Sequence, residues 1–107
     1  MEKKKGLLVI FMRAEAGPED EFNQWYDSHL DLICEPEGVV GVSRYKLSGT
    51  QLPGHVPENN YATIYELEDP EAAVARMLAH QRESTDAGDL SDMKAYVLDH
   101  MITYRKP

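Results

Sequence analysis

The side chains best suited to chemistry in this chain are its four histidines and six tyrosines. His29 stands in the run Glu21-Phe22-Asn23-Gln24-Trp25-Tyr26-Asp27-Ser28-His29-Leu30. At about 100° per helical residue, Phe22, Trp25, Tyr26, His29 and Ile33 share one stripe. Glu21, Gln24, Ser28, Asp31 and Glu35 fall on the opposite side. An imidazole in such a stripe is expected to be mostly buried, where it can act as a general base or donate one hydrogen bond. The competing reading is a packed histidine satisfied by a backbone carbonyl or a tyrosine. Tyr26 lies one turn earlier, so its hydroxyl can share a small site with His29 and donate to a developing oxyanion. Trp25 is expected to form a packing wall, whereas Asp27 and Ser28 are expected toward solvent.

His100 alternates with Tyr96, Leu98, Ile102 and Tyr104, which makes it a third catalytic candidate on an apolar strand face. Tyr61 and Tyr65 share one face of another strand and are expected to line a pocket with Phe11, Trp25, Met77 and His80. His80 follows Met77 by three residues on a helix and could look into the same cleft. His55 falls in a loop. Arg13 and Arg44 end or interrupt apolar runs. Either could bind a substrate carboxylate or phenolate, although a salt bridge to one of many acids is the simpler expectation.

Other chemistries lack their spacing. There is no His-x-His, Cys-x-x-Cys or His-Glu-x-x-His pattern for zinc, no calcium-loop order around Asp86, Asp89 and Asp92, and no phosphate-cradling glycine motif. No metal and no cofactor is therefore expected. Cys34 has no basic neighbour in sequence to activate it as a nucleophile.

The elements that must position these residues follow from local pattern. Residues 7–13 are strand formers with both alternating sets apolar, Leu7, Val9 and Phe11 against Leu8, Ile10 and Met12. Such a strand is buried on both sides. Gly17-Pro18-Glu19-Asp20-Glu21 starts a helix that Pro36 and Gly38 end. Residues 39–47 and 61–67 read as strands around a loop rich in glycine, proline and asparagine. Asp69-Pro70-Glu71 opens a second helix that runs to about residue 82, and residues 94–104 read as a fourth strand.

The order β-α-β-β-α-β predicts an α+β, ferredoxin-like fold: a four-stranded antiparallel sheet from two interleaved right-handed crossovers, with both helices on one face. The bare face and the two-sided first strand predict a homodimer. One domain over residues 1–107 is expected at this length. A net charge of −8 disfavours nucleic acid and anionic membrane as partners. The apolar run near the start is too short for a signal sequence, and the single cysteine excludes an internal disulfide. Both point to a reducing, cytoplasmic compartment.

The helix run Glu21 to Leu30, followed by Gly38-Val39 and Arg44-Tyr45, resembles the EthD-like branch of the dimeric α/β-barrel superfamily. The strand Leu7-Leu8-Val9-Ile10-Phe11-Met12 and the segment Tyr61 to Pro70 match it too. The resemblance implies two protomers joined into an α/β barrel and a superfamily range of cofactor-free isomerases, lactone-processing enzymes, cyclases, quinone-forming monooxygenases and haem-degrading enzymes. The leading expectation is a cofactor-independent isomerase, cyclase or lyase acting on an apolar aromatic or polyketide-like molecule between sheet and helices. The alternatives are a non-catalytic binder of a small hydrophobic metabolite and, third, a haem or quinone monooxygenase.

Overall fold

The computed structural model describes residues 4–13, 19–83 and 94–107, without the side chains of residues 19, 20, 22 and 80–83. Its elements are β1 (Lys5–Met12), α1 (Glu19–Ser28), α2 (Leu30–Ile33), β2 (Val39–Lys46), β3 (Tyr61–Glu68), α3 (Pro70–Glu83) and β4 (Lys94–Asp99). The strands form one sheet in the order β2-β3-β1-β4, with every neighbouring pair antiparallel. β1 and β2 run in the same direction but do not touch, because β3 lies between them.

Register assigns the two faces. Leu8 stands opposite Tyr65 and Val97, and Tyr65 opposite Val42, so these share one face. On it Leu8, Tyr65 and Leu67 pack with Ala73 of α3, and Ile10, Ile33, Val39, Val42, Val74 and Met77 surround them. The opposite face presents Leu7, Val9 and Phe11 beside Ala62 and Ile64 of β3 and Tyr96 and Leu98 of β4. Tyr96 and Leu98 are exposed, so among the described residues nothing covers this apolar sheet face.

Two close approaches fix how the sheet meets α3. A side chain at Gly6 would strike the Leu98 carbonyl and lie 2.6 Å from Pro70 Cγ. Gly38 has φ +98°, a left-handed conformation that favours glycine, and a Cβ there would lie 2.9 Å from Ala73 Cβ.

Two elements differ from expectation. The first helix is not continuous: α1 stops at Ser28 and α2 begins at Leu30. His29 adopts φ −115°, ψ 14°, and its N–H donates to the Tyr26 carbonyl rather than to Trp25. The Ser28 hydroxyl donates to the Trp25 carbonyl that an unbroken helix would have used. The fourth strand ends at Asp99, not at residue 104. The His100 N–H makes its last ladder bond to Lys5, and the Lys4 carbonyl is already taken by the Asp69 N–H. Among the described residues the chain beyond His100 therefore has no strand to pair with. It continues without regular structure, with Met101, Ile102 and Tyr104 82–92% exposed.

Candidate active site

The polar groups that converge lie between α1 and the helix-facing side of the sheet. Asn23, Tyr26 and Asp27 fall at i, i+3 and i+4 on α1 and look onto β2 and β3. From β2, Arg44 Nη1 donates to Asp27 Oδ1 at 2.9 Å and Nη2 donates to Asn23 Oδ1 at 3.1 Å. Asn23 Nδ2 passes the chain on to the Tyr61 hydroxyl at 3.1 Å. The guanidinium carbon stands 4.7 Å from the Tyr26 ring centre and 5.6 Å from that of Tyr61. Two aromatic faces thus hold a cation whose side chain is only 11% exposed.

Burial sets the protonation of the phenols. Burial pushes the Tyr26 hydroxyl above its ordinary range, and the Arg44 charge pulls partly the other way. Tyr65 is driven well above the phenol range by burial first, then by Tyr26 and Cys34. Both are donors at neutral pH, as an ordinary phenol is, and burial keeps them so further into the alkaline range. Tyr26 points its hydroxyl at Met12 Sδ, 3.3 Å away, which is a weak acceptor.

Thr63 adds an orphan. It stands directly opposite Arg44 in the β2–β3 ladder and is 1% exposed, yet its hydroxyl has no hydrogen-bond partner among the described residues. Directly opposed side chains on one sheet face have Cβ atoms about 4.5–5.5 Å apart, so this hydroxyl and the Arg44 stem are neighbours.

His29 lies elsewhere. Its ring stacks on Trp25 with centres 4.4 Å apart and an 18° interplanar angle, and Trp25 is 55% exposed. Nδ1 sits within hydrogen-bond reach of the Trp25 carbonyl and the Ser28 hydroxyl. With the proton on Nδ1 it donates to that carbonyl, which leaves Nε2 as the basic atom of the ring. The inward stripe of the helix runs through Asn23, Tyr26 and Ile33, so Trp25 and His29 lie at its outer margin instead of in a buried stripe.

The other expected residues divide. Tyr61 and Tyr65 lie on the helix-facing side with Tyr26, and Met77 borders the core beside them. Phe11 is on the opposite, uncovered face, opposite Ala62. His100 is beyond the end of β4, exposed, with Nε2 2.9 Å from Thr103 Oγ1. The side chain of His80 lies outside the described residues, as does the expected helix start at residues 14–18. His55 is exposed in its loop. Burial, then the Asp31 charge, pushes the Cys34 thiol up, which opposes thiolate chemistry. Among the described residues no group of three His, Cys, Asp or Glu side chains could hold a metal, and no helix is long and apolar enough to cross a membrane.

Sequence reasoning missed Asn23; it placed Asp27 toward solvent, where the side chain is 65% exposed even as it meets Arg44. The available signal was their i, i+4 spacing together with an arginine, Arg44, on the inward side of an apolar strand.

No family model matches the chain, and no curated protein matches it. Solved structures do. A candidate monooxygenase from Shewanella loihica PV-4 is 9% identical with a TM-score of 0.60, covering 98% of this chain and 100% of its own. An EthD family protein from Bacillus halodurans C-125 is 13% identical with a TM-score of 0.60, covering 92% and 99%. A dimeric ferredoxin-like protein from an uncultured marine organism is 12% identical with a TM-score of 0.59, covering 98% and 100%. The chain therefore has the ferredoxin-like fold, shared along almost its whole length with an EthD family protein and a dimeric ferredoxin-like protein.

Proposed function

We propose that the chain is an EthD-like protein that works as a homodimer and takes a small, largely apolar aromatic or polyketide-like molecule between α1 and the sheet. There it acts as an isomerase, cyclase or lyase without a cofactor. The observation that carries the reading is the Arg44 cluster. One desolvated cation, two aromatic faces and the Tyr26 and Tyr61 hydroxyls meet beside an apolar core. Fixed donors of this kind stabilise an enolate or phenolate oxygen as charge develops on it. His29 Nε2, at the outer margin of the site, is the base assigned to the proton transfer, and Tyr26 is the donor at the Arg44 cluster.

The homodimer rests on the uncovered apolar face, on the exposed apolar residues of the tail, and on the fold shared with a protein described as dimeric.

One observation favours a second reading, a binder without chemistry. His29 is engaged in breaking the helix, and its ring packs on Trp25 rather than over the Arg44 cluster. Turnover of a panel of aromatic and polyketide-like enols decides between them. His29→Ala lowers turnover by at least a hundredfold with affinity retained if the chain is an enzyme. If no member of the panel turns over and His29→Ala changes only affinity, the binder reading holds. If no member binds at all, the small-molecule reading fails.

A further inference from the structure

The Arg44 cluster contains an ion pair of unequal partners. The Arg44 side chain is 11% exposed, whereas the Asp27 carboxylate that meets its Nη1 is 65% exposed. Arg44 is held from the other sides by Asn23, Tyr26 and Tyr61. Asp27 is therefore a contact of the guanidinium that can swing into water at little cost. The orphan Thr63 hydroxyl stands across the ladder from the same arginine. A buried hydroxyl is rarely left without a partner, and one beside the stem of a desolvated arginine suits an oxygen acceptor that Asp27 does not supply.

We propose that Arg44 and Thr63 form a carboxylate subsite for the small molecule, and that Asp27 is its built-in competitor. The substrate class is an aromatic or similarly flat organic acid. One carboxylate oxygen takes the Arg44 Nη1 hydrogen bond in place of Asp27, and the other accepts from the Thr63 hydroxyl. The ring of the acid packs along Tyr26 and Tyr61. A guanidinium recognises a planar carboxylate by direction as well as by charge, which a neutral amide of the same shape cannot match. In a chain of net charge −8 this desolvated arginine is a local exception that gives the site its preference. The inference rests on the small-molecule reading above and adds the charge of the ligand.

The test uses 2-naphthoate and its neutral isostere 2-naphthamide, titrated into the full-length protein by calorimetry. Naphthoate binds at least about tenfold more tightly than naphthamide. Asp27→Asn, which removes the competitor, tightens naphthoate by about tenfold and leaves naphthamide unchanged. Thr63→Val weakens naphthoate severalfold without loss of thermal midpoint, and Arg44→Met abolishes the preference. Equal affinity for the two probes, or weaker naphthoate binding by Asp27→Asn, overturns the subsite. If naphthamide binds and naphthoate does not, the small-molecule reading stands and the carboxylate subsite falls. If neither binds at millimolar concentration, the subsite falls, and the enol panel above judges the broader reading. Should Arg44→Met fail to fold, the Asp27 and Thr63 variants still decide.

Discussion

Replacing Thr63 by valine should stabilise this protein. The substitution keeps the β-branched shape, so side-chain stiffness and strand preference are retained. What changes is a hydroxyl at 1% exposure that has no hydrogen-bond partner. Burying such a group costs about 1–3 kcal/mol. A methyl in its place also removes apolar surface from water, with a gain of up to about 0.8 kcal/mol. Fit against its neighbours offsets part of this, because a valine is not a perfect isostere. The net expectation is a gain of about 1 kcal/mol, or about 4 °C in thermal midpoint for a chain of this size. Urea unfolding followed by circular dichroism measures it, with the denaturant slope unchanged so that only stability has moved. A loss of 1 kcal/mol or more would show that the hydroxyl has a working partner in the folded protein. The argument for its availability to a ligand would then fail with it.

Gly38→Ala places a side chain at φ +98°, 2.9 Å from Ala73 Cβ and 3.1 Å from the Glu68 carbonyl, and should cost about 1–3 kcal/mol. The same urea series checks it, and an unchanged midpoint contradicts it. Truncation after His100 removes the exposed Met101, Ile102 and Tyr104 and should weaken self-association by at least about tenfold in sedimentation equilibrium. An unchanged dimer would confine the interface to the sheet face, and a monomeric full-length chain would end the dimer proposal. Burial raises the folded-state values of Tyr26 and Tyr65 above their ordinary value of 10.0. Their contribution to stability is complete below pH 10.0 and is lost as pH rises through the folded values, because the unfolded chain gives up these protons first. Tyr65→Phe should flatten the alkaline loss of stability, and ultraviolet titration showing all six tyrosines ionising together near 10.0 would refute this.

Much of the fold was legible because strand patterning is a two-sided signal. Leu7 to Met12 reads as a strand covered on both faces, and one of those faces meets the helices. Pro70 and Gly38 mark boundaries that the backbone respects. The site was less legible for two physical reasons. Helical phase computed from the large side chains put Trp25 and His29 inward, whereas the polar Asn23 takes the inward place by pairing with Arg44 and Tyr61. Ser28 and His29 then compete for the Trp25 carbonyl and break the helix, a local effect that periodicity does not register. At the other end, alternation carried the fourth strand through to residue 104. A strand needs a partner, and β1 supplies none beyond Lys5.

The central claim is that a small organic molecule sits between α1 and the sheet, against Arg44. The most direct measurement is a crystal structure of the full-length protein soaked with 2-naphthoate. The ligand's carboxylate is expected at Arg44 Nη1 and the Thr63 hydroxyl, its ring along Tyr26 and Tyr61, and Asp27 turned away into solvent. A ligand found instead on the opposite sheet face, beside Val9, Phe11 and Tyr96, with the Arg44–Asp27 pair intact at 2.9 Å, would contradict it.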